Sequence, residues 1–294
     1  MDFIFNIFNT IFFAPIVNLI VLIIRLLDSV GIPGSLGFAI IILTFLIRML
    51  IWPLMASSMK SMKKMAELKP RIEELKVKHK EDKSALAAAQ MALYKEHGIN
   101  PAGGCLPTLI QIPPLIAIYQ VIYAFFEGGA GLEKINKVLY DPSWKLSEIP
   151  DLNFLGLNLA DKPSDFGRIG LLVLLVPVIT ALLQLAQSKM MAPKAVKKYP
   201  SDSPKEKKEK ESMEETMEAV QGQMMFLMPL MIGYISFTFP IGLALYWNTL
   251  TIIGIVQQYL IGGWGGLDVL ISRVRGNSDT VKALPTKSSS KKKS

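Results

Sequence analysis

Gly37 to Ser57 reads GFAIIILTFLIRMLIWPLMAS, an apolar run long enough to cross a bilayer. It carries one arginine, Arg48, near its middle. The next cation on the C-terminal side is Lys60, twelve residues on, roughly 18 Å at the helical rise and beyond comfortable snorkelling. Arg48 is therefore expected to stay inside the membrane. Its guanidinium cannot shed a proton, so it costs from about 2.5 to more than 10 kcal/mol there unless it faces protein or water. A buried acid would be the ordinary partner, but the apolar interiors of the other candidate spans contain none.

Composition sets the class. With 51% hydrophobic residues, a mean hydropathy of +0.36 and several long apolar runs, the chain reads as an all-α polytopic membrane protein. A single cysteine, Cys105, excludes an intramolecular disulfide and a thiolate zinc cluster. No metal or cofactor site is expected. The net charge of +8 is concentrated in three segments, and that distribution orients the chain.

Outward from the first span, residues 1–34 are expected to form an amphipathic helix lying in the membrane interface: Ile16, Leu19, Ile20, Ile23, Ile24 and Leu27 recur at helical spacing, while Asn18, Arg25 and Asp28 are polar. An additional transmembrane span is the alternative, since the run is nearly long enough. Residues 35–57 are the first span. Residues 58–104 read as a cytoplasmic helical hairpin, with ten Lys or Arg against six acids over 58–101. A Met-rich stripe there is broken at Pro70, and a second helix over about Ser84–His97 follows an HKEDK turn. The stripe is read as packing between the two arms, with an adaptable docking face as the alternative.

The second span, 105–127, contains Pro107, Pro113 and Pro114, which free carbonyls that need other partners. Residues 128–167 form the external loop. The third span, 168–188, places Thr180, Gln184 and Gln187 on one face. A charged cytoplasmic loop, 189–223, has eight lysines and seven acids. The fourth and fifth spans, 224–239 and 240–262, are parted only by Pro240 and are expected to form a tight hairpin. The tail, 263–294, is basic, with seven cations and two acids beyond Gly262. Placing the three basic segments in the cytoplasm gives five alternating spans, with the N-terminus outside and the C-terminus inside. Thr44, Arg48, Gln111, Gln184, Gln187, Asn248 and Thr251 then come from four spans. Singly, each neutral one suits a helix-packing hydrogen bond. With an unpaired arginine among them, a shared wet cavity explains the set better.

The segments GFAIIILTFLIRMLIWPL, ALYKEHGINPAGGCLPTLIQIPPLIAIY and FPIGLALYWNTLTIIGIVQQYLI, together with the basic loop, resemble the YidC/Oxa/Alb membrane-protein insertase family over residues 12–262. The resemblance is to short forms without a large external domain. It implies five transmembrane helices around a positively charged hydrophilic groove, open to cytoplasm and lipid and closed to the outside. Arg48, Thr44, Gln111, Gln187, Tyr246 and Trp247 match the family's groove positions, and Gln184 and Asn248 join them on the residue pattern. The implied function is insertion and assisted folding of integral membrane proteins in the bacterial inner (cytoplasmic) membrane. The implied partners are nascent membrane proteins with short translocated segments and the lipid bilayer, with the ribosome and a Sec translocon as further candidates. Direct nucleic-acid readout is not expected.

Two other classes are weighed. A secondary transporter for a small anionic solute would also use a midplane arginine, but it commonly carries an inverted repeat, and none is found. An intramembrane hydrolase needs residues that the spans lack, since His79 and His97 fall in the hairpin segment. No GxxxxGK[ST] phosphate loop occurs. The basic tail from Arg273 suits either ribosome recruitment or anionic lipid.

Overall fold

The computed structural model describes residues 2–79, 82–100, 106–191, 213–268 and 271, and they are mostly helical. Asp2–Phe8 (α1), a π-helical turn Asn9–Phe13 and Ala14–Ser29 (α2) run on without a break. Then come Ser35–Glu67 (α3), Lys69–Lys78 (α4), Lys83–Glu96 (α5), Leu106–Phe126 (α6) and Gly129–Lys137 (α7). A small antiparallel pair, Asn153–Phe154 (β1) and Leu157–Asn158 (β2), precedes Phe166–Ile169 (α8). The chain continues as Leu175–Met191 (α9), Met213–Thr238 (α10) and Ile241–Gly262 (α11).

One end of the bundle is organised by residues 127–170. The Ile241 N–H donates to the Asp161 carbonyl at 2.9 Å and the Gly242 N–H to that of Leu159 at 2.8 Å. These bonds satisfy amides that the start of α11 would otherwise leave open. At the start of α3, Gly34 has φ +71°, and a Cβ there would lie 2.9 Å from the Asn153 carbonyl, while one on Gly37 would overlap the Phe154 ring. Glycine is what lets α3 and β1 meet. Phe126, ending α6, lies against Gly242. The helices α3, α6, α9, α10 and α11 therefore alternate in direction, and their near ends share what is called here the loop end.

The same segment holds the N-terminal helix. Asn18, buried in the middle of the α1–α2 rod, donates through Nδ2 to the carbonyls of Ala14 and Val138, both at 2.8 Å, and accepts from the Tyr140 N–H at 2.7 Å. Arg25 Nη2 donates to the Lys145 carbonyl at 3.3 Å. Nearby, the Ser143 N–H bonds Asp141 at 2.8 Å and holds that carboxyl below the usual aspartate range.

The apolar core lies at this end: Ile20, Ile24, Leu36, Ile40, Leu43, Ile118, Ile122, Phe125, Leu159 and Tyr246 are all essentially inaccessible. Farther from the loop end, Leu46, Met49, Leu50, Leu109, Ile110, Ile112 and Ile116 are exposed. There α11 lies between α3 and α9, and α10 runs along the other side of α9.

Residues 224–262 differ from the tight hairpin expected on sequence. α10 packs along α9 and meets α11 at few places, leaving an apolar cleft between the arms lined by Ile232, Ile235, Phe239, Leu243 and Trp247. A Cβ on Gly233 would come within 2.8 Å of the Ala181 Cβ. This small-residue contact draws α10 toward α9 and away from its sequence neighbour.

By length and composition, the stretches Asn6–Ser29, Ser35–Met65, Leu109–Phe126 and Leu171–Met191 can each cross a bilayer, and Phe226–Thr238 is a shorter apolar piece. α11 has 22 residues, but Asn248, Gln257 and Gln258 dilute its apolar content. α3 continues past the apolar run to Glu67, and α4 follows with Pro70 in its first turn. Asp82 caps α5 by accepting from the Ala85 N–H at 2.9 Å. Met59 of the Met-rich stripe is buried, and so is Leu68 beside it. Cys105, Pro101, most of the 189–223 loop and nearly all of the tail lie outside the described residues.

Candidate functional site

Arg48 is 6% exposed. It sits 13 residues into α3, roughly 20 Å from the loop end. Its Nη1 donates to Gln257 Oε1 at 3.4 Å and its Nη2 to the Leu250 carbonyl at 3.3 Å, both at the long, weak end of hydrogen-bond geometry. Its Nε is buried without a partner. Among the described residues no acid pairs with it, and the ion pairs Lys134–Glu127, Lys137–Glu133 and Arg168–Asp161 all belong to the 127–170 segment. The guanidinium is thus held by neutral dipoles, which leave its charge uncompensated.

The reason it can sit so close to α11 is Gly254. A Cβ there would overlap the Gln187 amide nitrogen and lie 3.5 Å from Arg48 Nη2. The missing side chain brings Arg48 from α3 and Gln187 from α9 together on the surface of α11. One turn away, Gln184 Nε2 donates to Thr251 Oγ1 at 2.8 Å, and that hydroxyl donates to the Trp247 carbonyl at 2.8 Å. Thr180, fully buried, returns its hydroxyl to Val176 at 2.9 Å within α9.

Tyr246 reaches the same region from α11, within electrostatic range of Arg48. Its hydroxyl faces Gln111 of α6 without a hydrogen bond of ordinary geometry. Gln111 Oε1 and Nε2, Tyr246 Oη, Asn248 Oδ1, Gln257 Nε2 and Gln258 Oε1 are all buried and have no protein partner. Each such group costs about 1–3 kcal/mol unless water or a bound chain meets it. Those of Gln257, Tyr246 and Gln111, linked to Arg48 directly or through one another, leave an incompletely hydrogen-bonded surface of net positive charge.

Of the residues singled out on sequence, the structure brings Arg48, Gln187, Gln184, Gln111 and Tyr246 into one neighbourhood. Thr44 lies one turn from Arg48 but gives its hydroxyl to the Ile40 carbonyl at 2.6 Å, within its own helix. Trp247 is half-buried and lines the apolar α10–α11 cleft. Asn248 is half-buried with an unpaired oxygen. Sequence reasoning missed Gln257, Gly254 and the Leu250 carbonyl as Arg48's surroundings. Their signal is the i, i+4, i+7 spacing of 250, 254 and 257 on one face of α11. Among the described residues, no group of three or more His, Cys, Asp or Glu could hold a metal.

The family model described as "60Kd inner membrane protein" matches residues 28–264, a range that includes every residue of this site. The chain belongs to that family. It is 34% identical over 229 residues to "Membrane protein insertase YidC" of Fusobacterium nucleatum, covering 78% of this chain and 86% of the relative. Proteins of the same name from Rickettsia felis and Geobacter sulfurreducens are 34% and 32% identical over 79% and 78% of this chain. The chain spans only 36% and 34% of those two proteins. It is also similar to the solved structure titled "Active YidC insertase crystal structure with the first transmembrane domain resolved", with a TM-score of 0.49 and 23% identity, covering 81% of this chain and 44% of that one. Family membership and helices of membrane-crossing length make this chain a multi-pass membrane protein.

Proposed function

We propose that this protein is a membrane protein insertase that carries short hydrophilic segments of its clients across the bilayer through a positively charged groove between α3, α6, α9 and α11. The observation that carries this reading is Arg48, buried well inside the bundle, held by an amide and a carbonyl, with its own Nε, Gln257 Nε2 and the nearby Tyr246 hydroxyl all unpaired. A charge so placed is stable only where water or a polar guest reaches it. The apolar core closes the loop end, while the opposite half of α6 is uncovered. That asymmetry supports a groove open to the cytoplasm and lipid and shut to the outside.

In this reading α3, α6, α9, α10 and α11 are the five spans, and the loop end faces outward. The rod 2–29 lies across the outer surface rather than spanning, because Asn18 in its middle bonds the 138–140 backbone of the external segment. A client's acidic or polar tail enters the groove and is attracted to Arg48, and its apolar helix moves sideways into lipid, driven by hydrophobic transfer. Chaperoning of client folding, and docking of ribosome or Sec translocon, belong to the same proposal. The deciding experiment reconstitutes purified protein in liposomes with a small one- or two-span client. Protease-protected client tails, with no uptake of small anions, are the expected result. Anion uptake without client insertion refutes the reading and favours a transporter.

A further inference from the structure

We infer that Gln111 and the Tyr246 hydroxyl read the main chain of the translocated segment, complementing Arg48, which reads its charge. The inference rests on the insertase reading above and adds a recognition rule to it. Five N–H donors and no acceptor suit a guanidinium to carboxylates. A client tail of neutral residues gives Arg48 little to hold, yet every residue of it except proline brings one N–H and one C=O that leave water together.

A carboxamide is the side-chain group that matches a peptide unit, with one acceptor oxygen and two donor hydrogens. In Gln111 both ends are buried and unpaired, and the Tyr246 hydroxyl opposite is unpaired as well. The two lie close enough for the Gln111 amide to act on the Tyr246 hydroxyl, yet no hydrogen bond of ordinary geometry joins them. A peptide group that comes between them finds an acceptor for its N–H and donors for its carbonyl. α6 supplies more acceptors close by. Pro113 and Pro114 lie inside the helix and lack N–H groups, so the carbonyls of Leu109 and Ile110 receive no ordinary helical bond. Both residues are exposed, at 59% and 39%. Beyond Gln111 toward the loop end, Ala117, Ile118 and Val121 enter the apolar core, so the polar strip stops there.

The test uses purified protein in liposomes and one client with a short tail made in acidic, neutral and ester versions. In the ester version, two successive tail amides are replaced by backbone esters, which keep the side chains and remove the N–H donors. Gln111→Leu is expected to lower insertion of the acidic and neutral tails by a similar factor of about ten, the loss of one or two hydrogen bonds. Tyr246→Phe, which removes only the hydroxyl, lowers both by a smaller common factor. The ester tail inserts several-fold less well than its amide parent in the unsubstituted protein and no less well in Gln111→Leu. An equal ester penalty in both proteins, with unchanged thermal unfolding in detergent, overturns main-chain reading. So does a Gln111→Leu loss confined to one tail type. Failure of the groove reading itself is separable, because Arg48→Ala would then treat acidic and neutral tails alike.

Discussion

Replacing Arg48 separates a field from a clamp. With no acid beside it and two bonds of 3.3 and 3.4 Å to neutral groups, the side chain contributes little to holding α3 on α11. A well-formed bond to a charged group is worth about 1.5–3 kcal/mol, and at these lengths each contributes less. A client carboxylate about 4 Å from the guanidinium gains about 4 kcal/mol at an effective dielectric of 20 and about 1 kcal/mol in bulk water. A hydrated groove falls between, and about 2 kcal/mol corresponds to roughly thirtyfold in insertion rate. The expected series in liposomes, read by protease protection of an acidic-tailed client, is Arg48→Lys within about threefold of the parent, Arg48→Ala lower by roughly thirtyfold, and Arg48→Glu lower still. A neutral-tailed client should change by less than about threefold in all three. Thermal unfolding in detergent should stay close to the parent throughout. Equal loss by lysine and alanine for the acidic tail, with unchanged stability, refutes the electrostatic argument.

Gly254→Ala forces the flexible end of Gln187 aside and is expected to reduce insertion several-fold, whereas Gly254→Leu also displaces Arg48 and should abolish it; the check is the same assay beside a stability measurement. Asn18→Ala removes three hydrogen bonds and strands the Tyr140 N–H, so it should cost about 2–3 kcal/mol and lower the apparent Tm, with protease cleavage appearing first between residues 127 and 150. Single cysteines at positions 85 and 205, in a background lacking Cys105, should be labelled only from the cytoplasmic side of intact cells, and labelling from outside would reverse the proposed topology. Deleting residues 60–97 should abolish insertion while leaving the bundle folded, as a docking role for the α4–α5 segment requires.

Arg48 was legible in the sequence because one charge in an apolar run has few physical explanations. Gln184 and Gln187 were legible because a polar face on a membrane helix needs polar company. The bond of the Thr44 hydroxyl was not legible, because adjacency to Arg48 on the helix does not reveal that it goes to its own backbone at Ile40. Gly254 escaped because an absent side chain leaves no polar signal, and its meaning depends on what two other helices bring to it. Asn18 was noted as polar, but its partners are backbone groups of residues 138 and 140, which periodicity cannot point to. The expected α10–α11 hairpin failed for a related reason, since sequence proximity says nothing of the Gly233–Ala181 contact that draws α10 elsewhere.

The fastening of the bundle at one end has a mechanical consequence. Helix ends joined through Leu159, Asp161 and Phe154 act as a fulcrum, and displacement grows with distance from it. A tilt of about 10° in one helix moves a point 20 Å along it, the depth of Arg48, by about 3.5 Å, while the apolar seal beside the fulcrum shifts by less than an ångström per few residues of height. In the proposed groove, width for an incoming chain would therefore be gained where the polar atoms are, by leverage alone, without parting the apolar packing beside the fulcrum.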